Sequence, residues 1–267
     1  MNNPAFNNDA FRAGGASTQL SAEQLTEMYE RPSAGAVETD RMTMEDTLLK
    51  SAIAFGILVA GAVIGWMAAP ILGMGIYAFA IAGFVLALVN IFKKEPSPGL
   101  ILGYAAAQGL FIGGLSAVYD ARWDGIVFQA VIATIAVVGV TLALFASGKI
   151  RASARMNKIF LIAMLGYAAF SLINFVTMLI PGINSNPWGM RGAELSIMGF
   201  DIKLGVVLGL FAILLGAYSL VMDFDFIQKG IQNKAPRKYG WTGVFGVMLT
   251  VVWLYLEILR LLAISRD

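Results

Sequence analysis

The chain contains no cysteine and no histidine. The first absence excludes disulfides and thiolate nucleophiles, and the second removes any imidazole general base. Together they leave no zinc or haem ligand set of the usual kind. Charge is also scarce: Asp, Glu, Lys and Arg make up 13% of the 267 residues, against roughly 25% in soluble domains. The formal net charge of +2 is too small to indicate a nucleic-acid partner. No glycine-rich phosphate loop follows a strand, and no Ser or Thr has a His partner. Any proton or cation chemistry therefore falls to carboxylates, hydroxyls, amides and backbone carbonyls.

What the sequence has instead is hydrophobicity, at 58% of residues. Residues 1–46 are polar and hold no apolar run long enough for a signal-peptide core; they are expected to form a largely disordered tail. Within it, Ser21-Ala22-Glu23-Gln24 fits a capping box followed by Leu25, Met28 and Tyr29 at helical spacing. Residues 47–267 alternate between apolar runs of about 20 residues, the length a spanning helix requires, and short polar loops. The spacing predicts spans at 49–69, 71–92, 99–119, 125–147, 158–181, 203–227 and 241–263, the first two divided by Pro70. The longest loop, 182–202, carries Asn184, Asn186, Pro187 and Trp188. Trp66, Trp123, Trp188 and Trp241 fall near span ends, where indole rings prefer the interface.

Basic residues set the expected orientation. One set of loops carries Lys93, Lys94, Lys149, Arg151, Arg155, Lys158, Lys229, Lys234, Arg237 and Lys238, while the other carries Arg122, Arg191 and Lys203. The positive-inside rule places the N-terminus in the cytoplasm of a multi-pass cell-membrane protein. Gly61 with Gly65, and Gly109 with Gly113, recur at the four-residue spacing of close helix contacts.

Carboxylates at membrane depth are the first places to look for chemistry, since each ionised side chain there costs about 2.5–3.5 kcal/mol on insertion scales. Asp223 and Asp225 lie in the sixth span, two residues and thus about 200° apart around a helix. They cannot both face one point: either one faces the bundle while the other meets headgroups or caps the loop, or both sit at the helix end in the interface. Glu257 and Arg260 lie three apart on the last span, the spacing of an internal ion pair, with Thr250 two turns earlier on the same face. Ser171, Asn174 and Thr177 form a polar stripe on the fifth span, and Asn90, Gln108 and Gln129 supply further amides for interhelical hydrogen bonds. Asp120 and Asp124 flank Arg122 in a loop and read as ordinary solvated charge. An intramembrane aspartyl protease would need two aspartates within reach of one water, and no second site is evident. The halves show no internal repeat of the kind secondary transporters carry.

Three stretches resemble the transmembrane Bax inhibitor motif family (Bax inhibitor-1 and YccA-like proteins), in its actinobacterial-type branch. They are Gln108-Gly109-Leu110-Phe111-Ile112-Gly113-Gly114-Leu115-Ser116, Met222-Asp223-Phe224-Asp225, and Leu254-Tyr255-Leu256-Glu257-Ile258-Leu259-Arg260-Leu261-Leu262. The resemblance covers residues 47–265. It implies an all-α seven-helix bundle with the last helix central, and a non-enzymatic pH-sensitive leak of cations, chiefly calcium, in which paired aspartates on the last two helices share a proton or a cation. Asp223 matches the first member of that pair. The second falls on Thr250, counted back from Arg260, and threonine cannot ionise; Asp225 or Glu257 remains to compensate. No cofactor is expected beyond weakly bound calcium. The rival expectation is a non-conducting regulator of a membrane protease or another membrane protein, with the tail as adaptor.

Overall fold

The computed structural model describes residues 40–180, 186–197 and 200–267. The capping box at Ser21, Asn184 and most of the polar tail lie outside the described residues. Seven α-helices follow in order: α1 (Met44–Leu72), α2 (Ile76–Phe92), α3 (Pro98–Arg122), α4 (Ile126–Ala146), α5 (Ala154–Leu179), α6 (Leu204–Gln232) and α7 (Gly240–Arg266). Between α5 and α6 lie a 3-10 turn at Gly189–Gly192 and two antiparallel strands, β1 (Glu194–Ile197) and β2 (Phe200–Lys203), in register Glu194 to Lys203.

Six segments, rather than the seven expected, are long and apolar enough to cross a membrane. The difference lies in the first, Met44–Phe92, which runs 49 residues through α1, a 3-10 turn at Gly73–Gly75 and α2. At about 1.5 Å per residue that length would be about 74 Å, more than twice the roughly 30 Å of hydrocarbon. It does not continue straight. α1 and α2 both pack on α3, with opposite polarity: Ala62 meets Gly113, while Ile76 meets Gly114 and Gly83 meets Gln108. The reversal comes three residues after Pro70, which sits within the last turn of α1. Gly73 makes it with φ +49°, donating its N–H to the Ala69 carbonyl as the helix stops. Positive φ is where glycine carries little steric penalty.

Helix starts follow capping chemistry. The Thr43 hydroxyl accepts the Asp46 N–H at 3.1 Å, Ser153 accepts the Met156 N–H at 3.3 Å, and Pro98 opens α3 where its missing N–H costs nothing. Met44–Asp46, polar enough to group with the tail by composition, thus form the first turn of α1.

The four glycines at close-contact spacing face one another across α1 and α3. A Cβ on Gly61 would sit 3.2 Å from the Gly109 Cα, and Cβ atoms on Gly65 or Gly113 would run into the opposing backbone. α6 and α7 mesh differently, as an antiparallel ladder in which α6 glycines receive large α7 side chains: Gly205 against Ile264, Gly209 against Leu261 and Gly216 against Leu254. α7 is the most buried helix, packed on α1, α3, α4 and α6. Its Val244, Phe245, Met248, Ile258 and Leu259 share a core with Ile101 and Tyr104 of α3. The outer surface is apolar, with Ile71 88% exposed, as expected where lipid rather than water is the solvent.

Contacts sort the loops into two ends. At one, Met42 donates to the Ala235 carbonyl, Lys238 pairs with Glu95 at 2.6 Å and Arg237 with Asp46 at 2.7 Å. At the other, Asp267 accepts from Arg122 at 2.9 Å and from the Trp188 indole at 2.8 Å. The ten basic loop residues fall at the first end, hereafter the basic end.

Candidate functional site

Asp223 lies on α6 facing α7, half-buried, and the Thr250 hydroxyl donates to its Oδ2 at 2.7 Å. Ser219, one turn earlier on α6, places its hydroxyl 3.1 Å from that of Thr250, completing a chain Ser219–Thr250–Asp223. Space for the carboxylate comes from Gly246: a Cβ there would lie 2.8 Å from Asp223 Oδ1. No Lys or Arg forms an ion pair with Asp223 among the described residues. Thr250, where the resemblance leads one to look for a second carboxylate, is therefore the direct partner of Asp223 as a hydroxyl donor.

Asp225 makes an ion pair of 2.6 Å with Lys229, one turn along α6. It nevertheless borders the same cavity of about 530 Å³ as Asp223, together with Asn157, Thr242 and Gly246. The expectation that the two aspartates point to separate places is corrected to this extent. Their helical faces diverge, but the cavity beside α6 is wide enough to meet both. Among the described residues, no three acidic side chains gather as a metal cradle.

Glu257 and Arg260 belong to a different assembly. Arg260 donates to Glu257 Oε1 at 2.7 Å, the internal pair that their spacing predicts. Glu257 Oε2 also faces Arg191 at 3.5 Å, with both side chains about 5% exposed. Arg191 arrives from the 3-10 turn and further donates to the Tyr167 and Ser171 hydroxyls, each at 2.9 Å. Its guanidinium also lies over the Tyr167 ring, 5.3 Å from the centroid. Asn174 holds the same turn in place, accepting the Met190 N–H at 2.7 Å and donating to the Trp188 carbonyl at 3.4 Å. Ser171 and Asn174 of the polar stripe on α5 thus seat this loop, while the Thr177 hydroxyl donates to the Asn174 carbonyl of its own helix at 2.9 Å. Seven residues, about 10.5 Å of helix, separate Glu257 from Thr250, so the structure does not bring Glu257 to Asp223.

A family model described as Bax inhibitor 1 like matches residues 3–267. The chain belongs to that family. No curated protein matches it. In this Bax inhibitor 1-like bundle, three features of the charged sites escape sequence reasoning. Arg191 reads as a loop residue and an orientation marker; the overlooked signal was a buried glutamate in need of a second donor. Gly246 reads as one small residue among many. Asp46 and Arg237 are 191 positions apart, yet the guanidinium grips the carboxylate through Nε at 2.9 Å and Nη2 at 2.7 Å, and Lys50 bonds both Asp46 and the Arg237 carbonyl. Nothing local to either segment announces that clamp.

Proposed function

We propose that this multi-pass membrane protein is a non-enzymatic, low-rate cation or proton leak with Asp223 as its gating carboxylate. In this reading it lies in the cell membrane with the basic end in the cytoplasm. The observation that carries the proposal is a carboxylate inside a spanning helix whose only described hydrogen-bond partner is one hydroxyl. An ionised group at that depth is costly, and capture of a proton or cation relieves the cost. The cavity beside it gives such an ion a path from the basic end. Protonation removes the charge and changes what Thr250 and Ser219 can bond, which biases a bundle with two arrangements. Calcium takes six to eight oxygen ligands. One free carboxylate, one hydroxyl and a second carboxylate already paired with Lys229 support weak calcium binding at most.

The test is calcium and proton flux into liposomes holding purified protein, across about pH 5 to 8, for wild type and Asp223→Asn. The expected outcome is a pH-dependent flux in wild type that loses its pH dependence in the variant. Flux equal to that of empty liposomes, from folded and inserted protein, would sink the leak and favour a non-conducting regulator of a membrane protease or other membrane protein.

A further inference from the structure

A second site lies on the opposite flank of α7. α1 and α4 stand apart there, with α7 as the floor between them. Two cavities, of about 590 and 660 Å³, share Phe55, Thr134, Ile135 and Val251 and so form one continuous groove. It extends along α1 from Met44 to Met67, about 35 Å of helix, which matches the hydrocarbon thickness of a bilayer. Its walls are almost wholly apolar, and it opens sideways where lipid tails lie.

The mouth at the basic end is different. There Arg151 donates to Gln228 Oε1 at 2.5 Å, with its guanidinium 4.4 Å from the centroid of the Phe145 ring. Gln228 and Phe145 both line the groove. Arg151 is exposed and forms no ion pair with a carboxylate among the described residues, and the same holds for its neighbours Lys149, Arg155 and Lys158. An apolar slot of membrane depth that ends under an unpaired guanidinium has the polarity of one molecule class: an acyl chain joined to an anion.

We propose that the α1–α4 groove binds an anionic phospholipid, with an acyl chain along α4 and α7 and the phosphate on Arg151. A guanidinium presents several N–H donors in a fork that fits phosphate oxygens, and only one is used by Gln228. The cluster of basic residues around it adds attraction to an anionic membrane surface. The bound chain lies against Phe224, the neighbour of Asp223, and braces α6 from the side opposite the Asp223 cavity.

Gly139 supplies the test. It lines the groove midway along α4, and a Cβ there would meet nothing within 4 Å. Gly139→Phe therefore directs a ring into the slot from an unobstructed Cβ, and Gly166→Phe, on α5 with an equally unobstructed Cβ, is the matched control. Native mass spectrometry of the full chain, released from nanodiscs of mixed phosphatidylglycerol and phosphatidylcholine, reads the lipid retained. The expected result is preferential retention of phosphatidylglycerol by wild type and by Gly166→Phe. Arg151→Gln should lower that retention by about tenfold while Arg151→Lys keeps part of it, and Gly139→Phe should lower retention of both lipids. Undiminished phosphatidylglycerol on Gly139→Phe, or on Arg151→Gln, overturns the proposal. Because the chain has no native cysteine, Gly139→Cys is a unique crosslinking point. Its efficient crosslinking to residues 1–39 or to a second copy, in place of a lipid probe, overturns it as well.

Discussion

Two carboxylates face the interior of the α6–α7 region, and the protein treats them oppositely. Glu257 is enclosed by Arg191 and Arg260, with Tyr167 and Ser171 taking up further guanidinium donors. Asp223, about two turns toward the basic end, has one hydroxyl and a cavity. The first arrangement satisfies each charge and fixes a loop to three helices. The second leaves a carboxylate with one described hydrogen bond beside open space. Compensation of buried charge is the structural default in a membrane, so the place where it is withheld is the place to look for function.

The largest expected effect breaks the compensated site. Glu257→Ala leaves Arg191 buried without its carboxylate and should destabilise the protein by about 3–5 kcal/mol, read as thermal unfolding in detergent. Asp223→Ala should cost far less. Equal losses from the two would erase the distinction between them. Next in size, Gly246→Val drives a methyl toward Asp223 Oδ1 and should cost about 1–3 kcal/mol. Most of that should return in the double variant with Asp223→Ala, and a cycle of the four proteins measures the coupling. Additive losses would mean that Gly246 does not shape the Asp223 site.

The smallest effect belongs to the end where Glu257 lies. The Trp188 indole N–H, then the Arg122 and Lys203 charges, hold the Asp267 side chain below the usual carboxylate range. A carboxylate so lowered contributes stability that is complete above its unfolded value, about 3.9, and is lost as pH falls through the folded value. Hydrogen exchange in 186–197 should therefore quicken slightly on acidification in wild type and show no such acid dependence in Asp267→Asn.

Apolar runs made the membrane class and nearly all helix positions legible, because period and length alone constrain a spanning helix. The first reversal was displaced from Pro70 to Gly73: proline is tolerated in the last turn of α1, and the turn needs a residue at positive φ. The pairing of Asp223 with position 250 came only through the family resemblance, counted back from Arg260; nothing in the residues alone joined the two. Arg191 was not legible, since its partners on α5 and α7 lie 20 and 66 positions away and its loop reads as solvated. The Asp46–Arg237 clamp was hidden for the same reason, spanning nearly the whole chain.

The glycine ladder between α6 and α7 has a mechanical consequence. With Ile264, Leu261 and Leu254 seated in successive gaps at Gly205, Gly209 and Gly216, the two helices behave as a toothed rack. A small axial slip would drive each leucine or isoleucine onto a larger neighbour, and the unequal spacing of the gaps leaves no one-turn shift that seats all three, so the pair holds its register. Any modest opening at Asp223 must therefore come from the helices splaying apart at the basic end, pivoting on the teeth that stay engaged at the other.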